Sequence, residues 1–425
     1  MPSLAGIVRG VESIGAAAAI GGRTLFGIDT NPVPSDWDHV TKVDPEGDKQ
    51  LPLAYPLYLQ YTSAVSVGGS RDVTGANTEE TFALVNAAGV PAFHEPSAAR
   101  HVTQRTRNQA DFLAIPEVVN GDSEAMVGTL GEGIEYAREE LAPKLIDEYL
   151  PVPVSGGLEA RLADFAASWL IQEAVFEAYI IMNLDSAAAR EGNVTEDDLL
   201  EPREAKRRAM AAERHLGSDV IYLEYSGTYG GEEAVALLEA IRTGVSGARL
   251  FYGGGLDDRE NALAVLDAGA DAVVVGNVFH EIADEEAALV DRAADDLDSP
   301  PSREAVRDWV DEAVDPAETA AARFLSTVVD VPDPEQRAAR YLADGVHVAL
   351  ALRSLASDLD GEDVDAARLR RALSGESLPG ETVFADVLAG DARPLARRLG
   401  LSLLAERFDV ALDDGFAANH VGVDL

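Results

Sequence analysis

The sequence predicts an α/β protein: a (β/α)8 TIM-like barrel with a short amino-terminal arm and an all-α carboxy-terminal extension. Three observations carry this expectation. About eight short apolar or β-branched runs recur between residues 39 and 275. Helical patterns separate them, and the last three runs each end in a glycine-bearing turn. Strand–helix alternation over about 250 residues fits a closed parallel barrel better than an open sheet. The chain has 425 residues, more than one compact core usually organises. The expected division is an arm at 1–35, a barrel at 36–299 and a separate helical domain at 300–425.

The arm is rich in Gly and Ala and ends in Asn31-Pro-Val-Pro34, a stiff extended connector. Strands are expected at His39–Val43, Ser63–Val67, Pro91–His94, Asp111–Ile115, Ala178–Met182, Val220–Glu224, Arg249–Tyr252 and Ala272–Val275. Several are apolar at consecutive positions, as strands buried on both faces must be. Helices are expected at Glu79–Ala88, Leu130–Leu150, Leu158–Phe176, Glu204–Leu216, Glu232–Thr243 and Arg259–Ala268. A Rossmann fold would need a Gly-x-Gly-x-x-Gly turn near its start, and none is present. Two places strain the barrel pattern: Pro52 and Pro56 fall where the first helix belongs, and the third and fourth strands are closely spaced. Past Ser299-Pro-Pro-Ser302 strand signals stop, and helices are expected at Ala317–Val329, Pro334–Leu359, Val364–Leu373 and Pro394–Arg407.

Composition narrows the function classes. The net charge is -41, from 75 acidic and 34 basic residues, and only Lys42, Lys49, Lys144 and Lys206 are lysines. Carboxylates spread evenly along the chain, with Arg preferred to Lys, resemble the solvated surface of a salt-adapted cytoplasmic protein, as in halophilic archaea. In molar salt the Debye length is about 3 Å, so the self-repulsion is screened. Such a chain offers no basic face to nucleic acid. The absence of cysteine removes disulfides, thiolate nucleophiles and thiolate metal sites. No segment reaches the roughly 18–20 apolar residues of a membrane span, and the expected location is cytoplasmic.

Three groups of residues could carry chemistry. The turns after the last three strands contain Ser226-Gly227, Gly253-Gly-Gly255 and Gly276-Asn277. Glycine lets backbone N–H groups approach a ligand, and barrels of this kind hold phosphate at the ends of strands seven and eight. The second group is His39-Val-Thr-Lys-Val-Asp-Pro45, where strand periodicity puts Lys42 and Asp44 on one face. This reads either as a strand-end ion pair or as an ammonium for an anion beside a carboxylate for Mg²⁺, with the hydroxyl of Gly68-Gly-Ser70 as a second metal donor. Glu224 is the third. It shares a face with Tyr222 and Ser226 and is either a general base for a substrate hydroxyl or a buried structural acid.

These blocks resemble the geranylgeranylglyceryl phosphate synthase family, which is related to the heptaprenylglyceryl phosphate synthases. The similarity rests on Trp37–Pro45, Gly68–Ser70, Tyr179–Asn183 with Asp185, Ser186 and Arg190, Tyr222–Gly230, Arg249–Leu256 and Val275–Val278. The resemblance implies transfer of a geranylgeranyl group from its diphosphate to the 3-hydroxyl of sn-glycerol 1-phosphate, with Mg²⁺ as cofactor. It further implies that Lys42 and the backbone of Tyr222, Leu223, Glu224, Tyr225, Ser226, Gly227, Gly255, Gly276 and Asn277 hold glycerol 1-phosphate. Asp44 and Ser70 would bind the metal, and Glu224 would be the catalytic base. Peripheral membrane contact through the lipid product and a homo-oligomeric state are also expected. Ala178 and Leu184 stand where the family has Gly and Pro, an insertion surrounds Leu150–Gly156, and neither the arm nor the extension belongs to the family pattern. The competing readings are a barrel isomerase or lyase on another phosphorylated metabolite, and a non-catalytic scaffold.

Overall fold

A computed structural model describes residues 25–46, 51–69, 71–122, 129–149, 157–374, 379–385, 393–412 and 418–425. Eight parallel strands form one sheet: β1 (His39–Val43), β2 (Ala64–Val67), β3 (Ala92–His94), β4 (Ala114–Val118), β5 (Val175–Ile181), β6 (Val220–Glu224), β7 (Arg249–Gly253) and β8 (Ala272–Val275). Their order is β3-β2-β1-β8-β7-β6-β5-β4. Two backbone bonds close the barrel between its ends: His94 N–H donates to the Phe112 carbonyl at 3.1 Å and Asp111 N–H to that of Ala92 at 2.8 Å. The expected TIM-like barrel is therefore present.

Strand alternation divides the core into two layers. Val40, Ala64, Phe93, Ala114, Val175, Val220, Phe251 and Ala272 point inward and fill the barrel with Trp37 beneath them. Trp37 stacks on Phe93 and Phe112, each with ring centroids 5.9 Å away. Val65, Val67, Ile180, Ile221, Leu223, Leu250, Tyr252 and Val273 point outward to the helices. The described end of the arm, residues 25–35, packs at the bottom: Asn31 Nδ2 donates to the carbonyls of Asp219 (2.7 Å) and Gly247 (2.8 Å), and Val33 is buried.

Two strands differ from expectation. β5 starts at Val175 because the preceding helix, Gly157–Gln172, stops earlier than predicted, and β4 runs Ala114–Val118 rather than Asp111–Ile115. The 129–149 helix contains a π turn at Ala137–Leu141, next to Pro143, whose missing N–H interrupts α-helical bonding. In the extension, Asp315 caps a 3-10 turn at Pro316–Glu318 and Thr319 caps the helix Ala320–Thr327, so the predicted Ala317–Val329 helix is split.

The larger difference concerns the helices after Ser299. They do not stand apart as a separate unit but share one apolar core with the barrel's outer layer. The first helix shrinks to Tyr55–Leu59, with Pro56 in its first turn, and every residue of it is buried. Leu51-Pro-Leu-Ala-Tyr-Pro-Leu-Tyr-Leu59 has no polar face, so it requires cover on all sides. The extension supplies that cover. Tyr58 makes edge contacts with Phe324 (6.2 Å) and Tyr341 (5.5 Å), and Phe324 also packs on Phe279 (4.9 Å). Glu286, on the helix Asn277–Asp296, accepts the N–H groups of Leu53 and Ala54. Gly345 of the helix Pro334–Leu359 closes over it, and a Cβ there would lie 2.0 Å from Glu286 Oε2. Gly345→Ala is therefore expected to cost about 1–3 kcal/mol of stability, read from denaturant unfolding in high salt. An unchanged midpoint would show that this junction is not tightly packed.

Candidate active site

The carboxy ends of the strands open into a cavity of about 1000 Å³. One end is polar, lined by Lys42, Glu95, Tyr179, Tyr222, Glu224 and the glycine turns. The other is apolar, lined by Ile115, Leu130, Tyr136, Leu141, Leu170 and Ile171 between β4 and the helices of residues 129–149 and 157–172.

Strand register assembles the polar end. Lys42 lies beside Ser66, Tyr179 beside Tyr222, and Glu224 beside Gly253. Lys42 Nζ is 3.0 Å from Glu95 Oε1, so the cation pairs with Glu95 and not with Asp44 as one sequence reading held. Ser66 Oγ donates to Glu95 Oε2 at 2.8 Å, and the Tyr179 hydroxyl donates to Oε1. Burial alone would raise the Glu95 pKa, but Lys42 and these two hydroxyls overcome it and hold the carboxyl below its usual range. Burial would likewise lower the Lys42 pKa, yet the carboxylates of Glu95, Asp44 and Glu224 together raise it. Beneath them Glu177 is buried, and burial with the neighbouring Glu95 charge pushes its pKa well above the usual carboxylate range.

Glu224 sits across from this pair with 2% of its surface exposed. Its Oε1 accepts the Ser226 N–H at 3.1 Å. Burial raises its pKa and Lys42 partly offsets the rise, which is the setting of a carboxylate able to accept a proton. The rings of Tyr179 and Tyr222 stack 4.4 Å apart along the floor.

The turns form the upper wall. Asn183 Nδ2 donates to the Ser226 carbonyl, and Gly227 is left-handed at φ +82°. Gly255 has φ +39°, and a Cβ there would lie 2.4 Å from the Thr228 carbonyl carbon, pressing one turn against the other. Gly276 precedes the 20-residue helix Asn277–Asp296 without a side-chain cap, and Gly276, Asn277 and Val278 line the cavity. Gly255→Val should impose about 1–3 kcal/mol of backbone strain and weaken binding of a small phosphate monoester roughly tenfold or more. Titration calorimetry reads this, and unchanged affinity would remove the turn from the site.

Asp44 follows β1 at the cavity rim, and its N–H donates to His280 Nε2 at 3.3 Å. Burial raises its pKa to about 6, partly countered by Lys42. Ser70 lies outside the described residues. The side chains of Leu223 and Tyr225 belong to the outer layer, because alternation on β6 turns them away from the cavity, and the Tyr225 N–H donates to the Gly253 carbonyl. Sequence reasoning missed Glu95 and Glu177. Glu177 carried a legible signal, a carboxylate inside the apolar run Val175-Phe-Glu-Ala-Tyr179 in phase with Tyr179. Glu95 carried a weaker one, an acid directly after a strand.

A closed parallel barrel with glycine turns at the ends of β6 to β8 and a buried carboxylate beside them defines the class of (β/α)8 barrels with a polar cavity at the carboxy ends of the strands. Within that class the chain belongs to the PcrB family, whose model matches residues 34–294. It is 32% identical over 249 residues to the geranylgeranylglyceryl phosphate synthase of Halobacterium salinarum, covering 58% of this chain and 89% of the relative. It is 31% identical over 255 residues to the heptaprenylglyceryl phosphate synthase of Brevibacillus brevis, covering 60% and 94%. Among solved structures it is similar to (S)-3-O-geranylgeranylglyceryl phosphate synthase from Thermoplasma acidophilum in complex with sn-glycerol-1-phosphate. That match has 19% identity and a TM-score of 0.43, over 57% of this chain and 86% of the other. Among the described residues no helix is long and apolar enough to cross a membrane.

Proposed function

We propose that this chain is a Mg²⁺-dependent prenyltransferase that joins geranylgeranyl diphosphate to the 3-hydroxyl of sn-glycerol 1-phosphate, making the ether bond of a membrane lipid precursor. One observation supports this reading above the others: a single cavity joins an anion cradle to an apolar arm, with Glu224 and Lys42 at the polar end. An isomerase or lyase acting on a small phosphorylated metabolite has no use for that arm.

The chain's own groups divide the work. The cradle of Ser226, Gly227, Gly255, Gly276 and Asn277 holds the phosphate of glycerol 1-phosphate, and Lys42 balances its charge. Glu224 accepts the proton of the 3-hydroxyl as that oxygen bonds C1 of the prenyl group and the bond from C1 to the diphosphate oxygen breaks. The apolar arm holds the chain and keeps water from C1.

The donor set suits a metal that arrives with its substrate. Among the described residues no group of three or more His, Asp or Glu is arranged to hold a metal. Asp44 offers one carboxylate at the rim, and Mg²⁺ commonly takes one or two carboxylates plus substrate phosphate oxygens. When bound, Mg²⁺ neutralises the charge that develops on the departing diphosphate.

The helices over the apolar arm also carry exposed Ile134, Leu158, Phe165 and Trp169, which supports peripheral contact with a membrane that receives the product. Phe165→Ser with Trp169→Ser should reduce co-sedimentation with lipid vesicles at least about threefold; equal sedimentation would sink this contact. The activity itself is tested with purified protein in high salt, Mg²⁺ and both labelled substrates. Butanol-extractable product that disappears on chelation supports the proposal, and folded protein without product overturns it.

A further inference from the structure

Asp44 directly follows β1, and its N–H donates to His280 Nε2 at 3.3 Å. Leu51 pairs in parallel with Val421: Leu51 N–H donates to the His420 carbonyl and Gly422 N–H to the Leu51 carbonyl, both at 2.8 Å. Leu51 and Val421 are both fully buried. Two residues further on, Glu286 holds the N–H groups of Leu53 and Ala54.

These anchors converge on one helix. His280, Ala283 and Glu286 stand three residues apart on Asn277–Asp296, so they share a face. His280 meets Asp44, and Ala283 meets Gly422, where a Cβ would fall 3.1 Å from the Ala283 methyl. Glu286 meets Leu53 and Ala54. The segment Ala418–Leu425 is tied down independently. Arg353 Nε donates to the Asp424 carbonyl at 2.8 Å, while Arg353 also pairs with Asp291 on the same Asn277–Asp296 helix, and Asn419 donates to Glu80 at 3.1 Å. The segment thus pairs with Leu51 by one parallel bridge and packs on the helix that carries His280.

We infer that Ala418–Leu425 is a positioning strap: with His280 it fixes the placement of Asp44 at the cavity rim, and this is a role of the helical extension in the reaction. The inference rests on the proposed function only for what Asp44 does, not for the strap itself. The strap packs through Gly422 on Ala283 of the helix whose His280 accepts the Asp44 N–H, so its contact reaches Asp44 through that helix. Loss of the strap should therefore disturb the Asp44 end of the site and leave the phosphate cradle, built on β6 to β8, in place.

The experiment compares the full chain with a form lacking Ala418–Leu425 and with Val421→Asp, which puts a charge where the valine is buried. Hydrogen exchange of the Val43–Glu46 amides should accelerate about tenfold or more in both variants, with the Ser226–Gly230 amides unchanged. The Mg²⁺ concentration for half-maximal activity should rise at least about fivefold, while KM for glycerol 1-phosphate at saturating Mg²⁺ stays within about twofold. Unchanged exchange at Val43–Glu46 overturns the strap. A parallel fall of every kinetic constant and of the unfolding midpoint also overturns it, because that marks general destabilisation. If the full chain transfers no prenyl group, the exchange data still decide the strap while the proposed function fails alone.

Discussion

Glu224→Gln is expected to lower kcat about 10²–10³-fold, the usual worth of a positioned general base, with the Kd for glycerol 1-phosphate changed less than about threefold. The amide keeps the shape of the side chain and its contact with the Ser226 N–H, but it cannot take the hydroxyl proton. The pH profile adds a sign. Burial raises the Glu224 pKa, so the base is emptied of its proton only above that raised value. Turnover of the parent should climb as pH rises through it, and Glu224→Gln should lose that limb. A variant with unaffected turnover, or with the limb retained, would remove Glu224 from proton transfer.

Lys42→Met is the second large effect, and it acts on binding and stability together. Removing the ammonium takes away the counter-charge for the phosphate and leaves Glu95 with only Ser66 and Tyr179 as partners, beside Glu177. Breaking a buried pair from one side costs about 3–5 kcal/mol. Because Lys42 is 28% exposed, the expected loss is discounted to about 1–3 kcal/mol. Activity should fall at least about 10³-fold. Adding Glu95→Gln should recover most of the stability, since no unpaired carboxylate remains, and none of the activity. If the double variant recovered activity, Lys42 would be present for Glu95 and not for a ligand.

These two residues also show how far the sequence reaches. Lys42 and Glu224 were legible because each sits inside a strand where a charge has no ordinary reason to be, and because strand alternation gives its face. The same alternation sends the side chains of Leu223 and Tyr225 to the outer layer. The partner of Lys42 was not legible. Glu95 follows β3 in an unexceptional turn, and its link to Lys42 exists only once β2 places Ser66 between them. The barrel could be read because its strands are buried on both faces and lose all polar alternation. The burial of the first helix carried a signal in Leu51–Leu59, a run with no polar side, but the helices that cover it lie more than 260 residues later. Their contact with the barrel depends on packing at Tyr58, Phe279, Phe324 and Gly345, which no local pattern encodes.

The central claim is that one cavity brings the 3-hydroxyl of glycerol 1-phosphate to C1 of the prenyl diphosphate. It is tested most directly by the origin of the ether oxygen. With sn-glycerol 1-phosphate carrying ¹⁸O at its 3-hydroxyl, Mg²⁺ and geranylgeranyl diphosphate, mass spectrometry should find the label retained in the product ether and absent from the released diphosphate. Label absent from the ether, or a prenyl alcohol formed in its place, would contradict it.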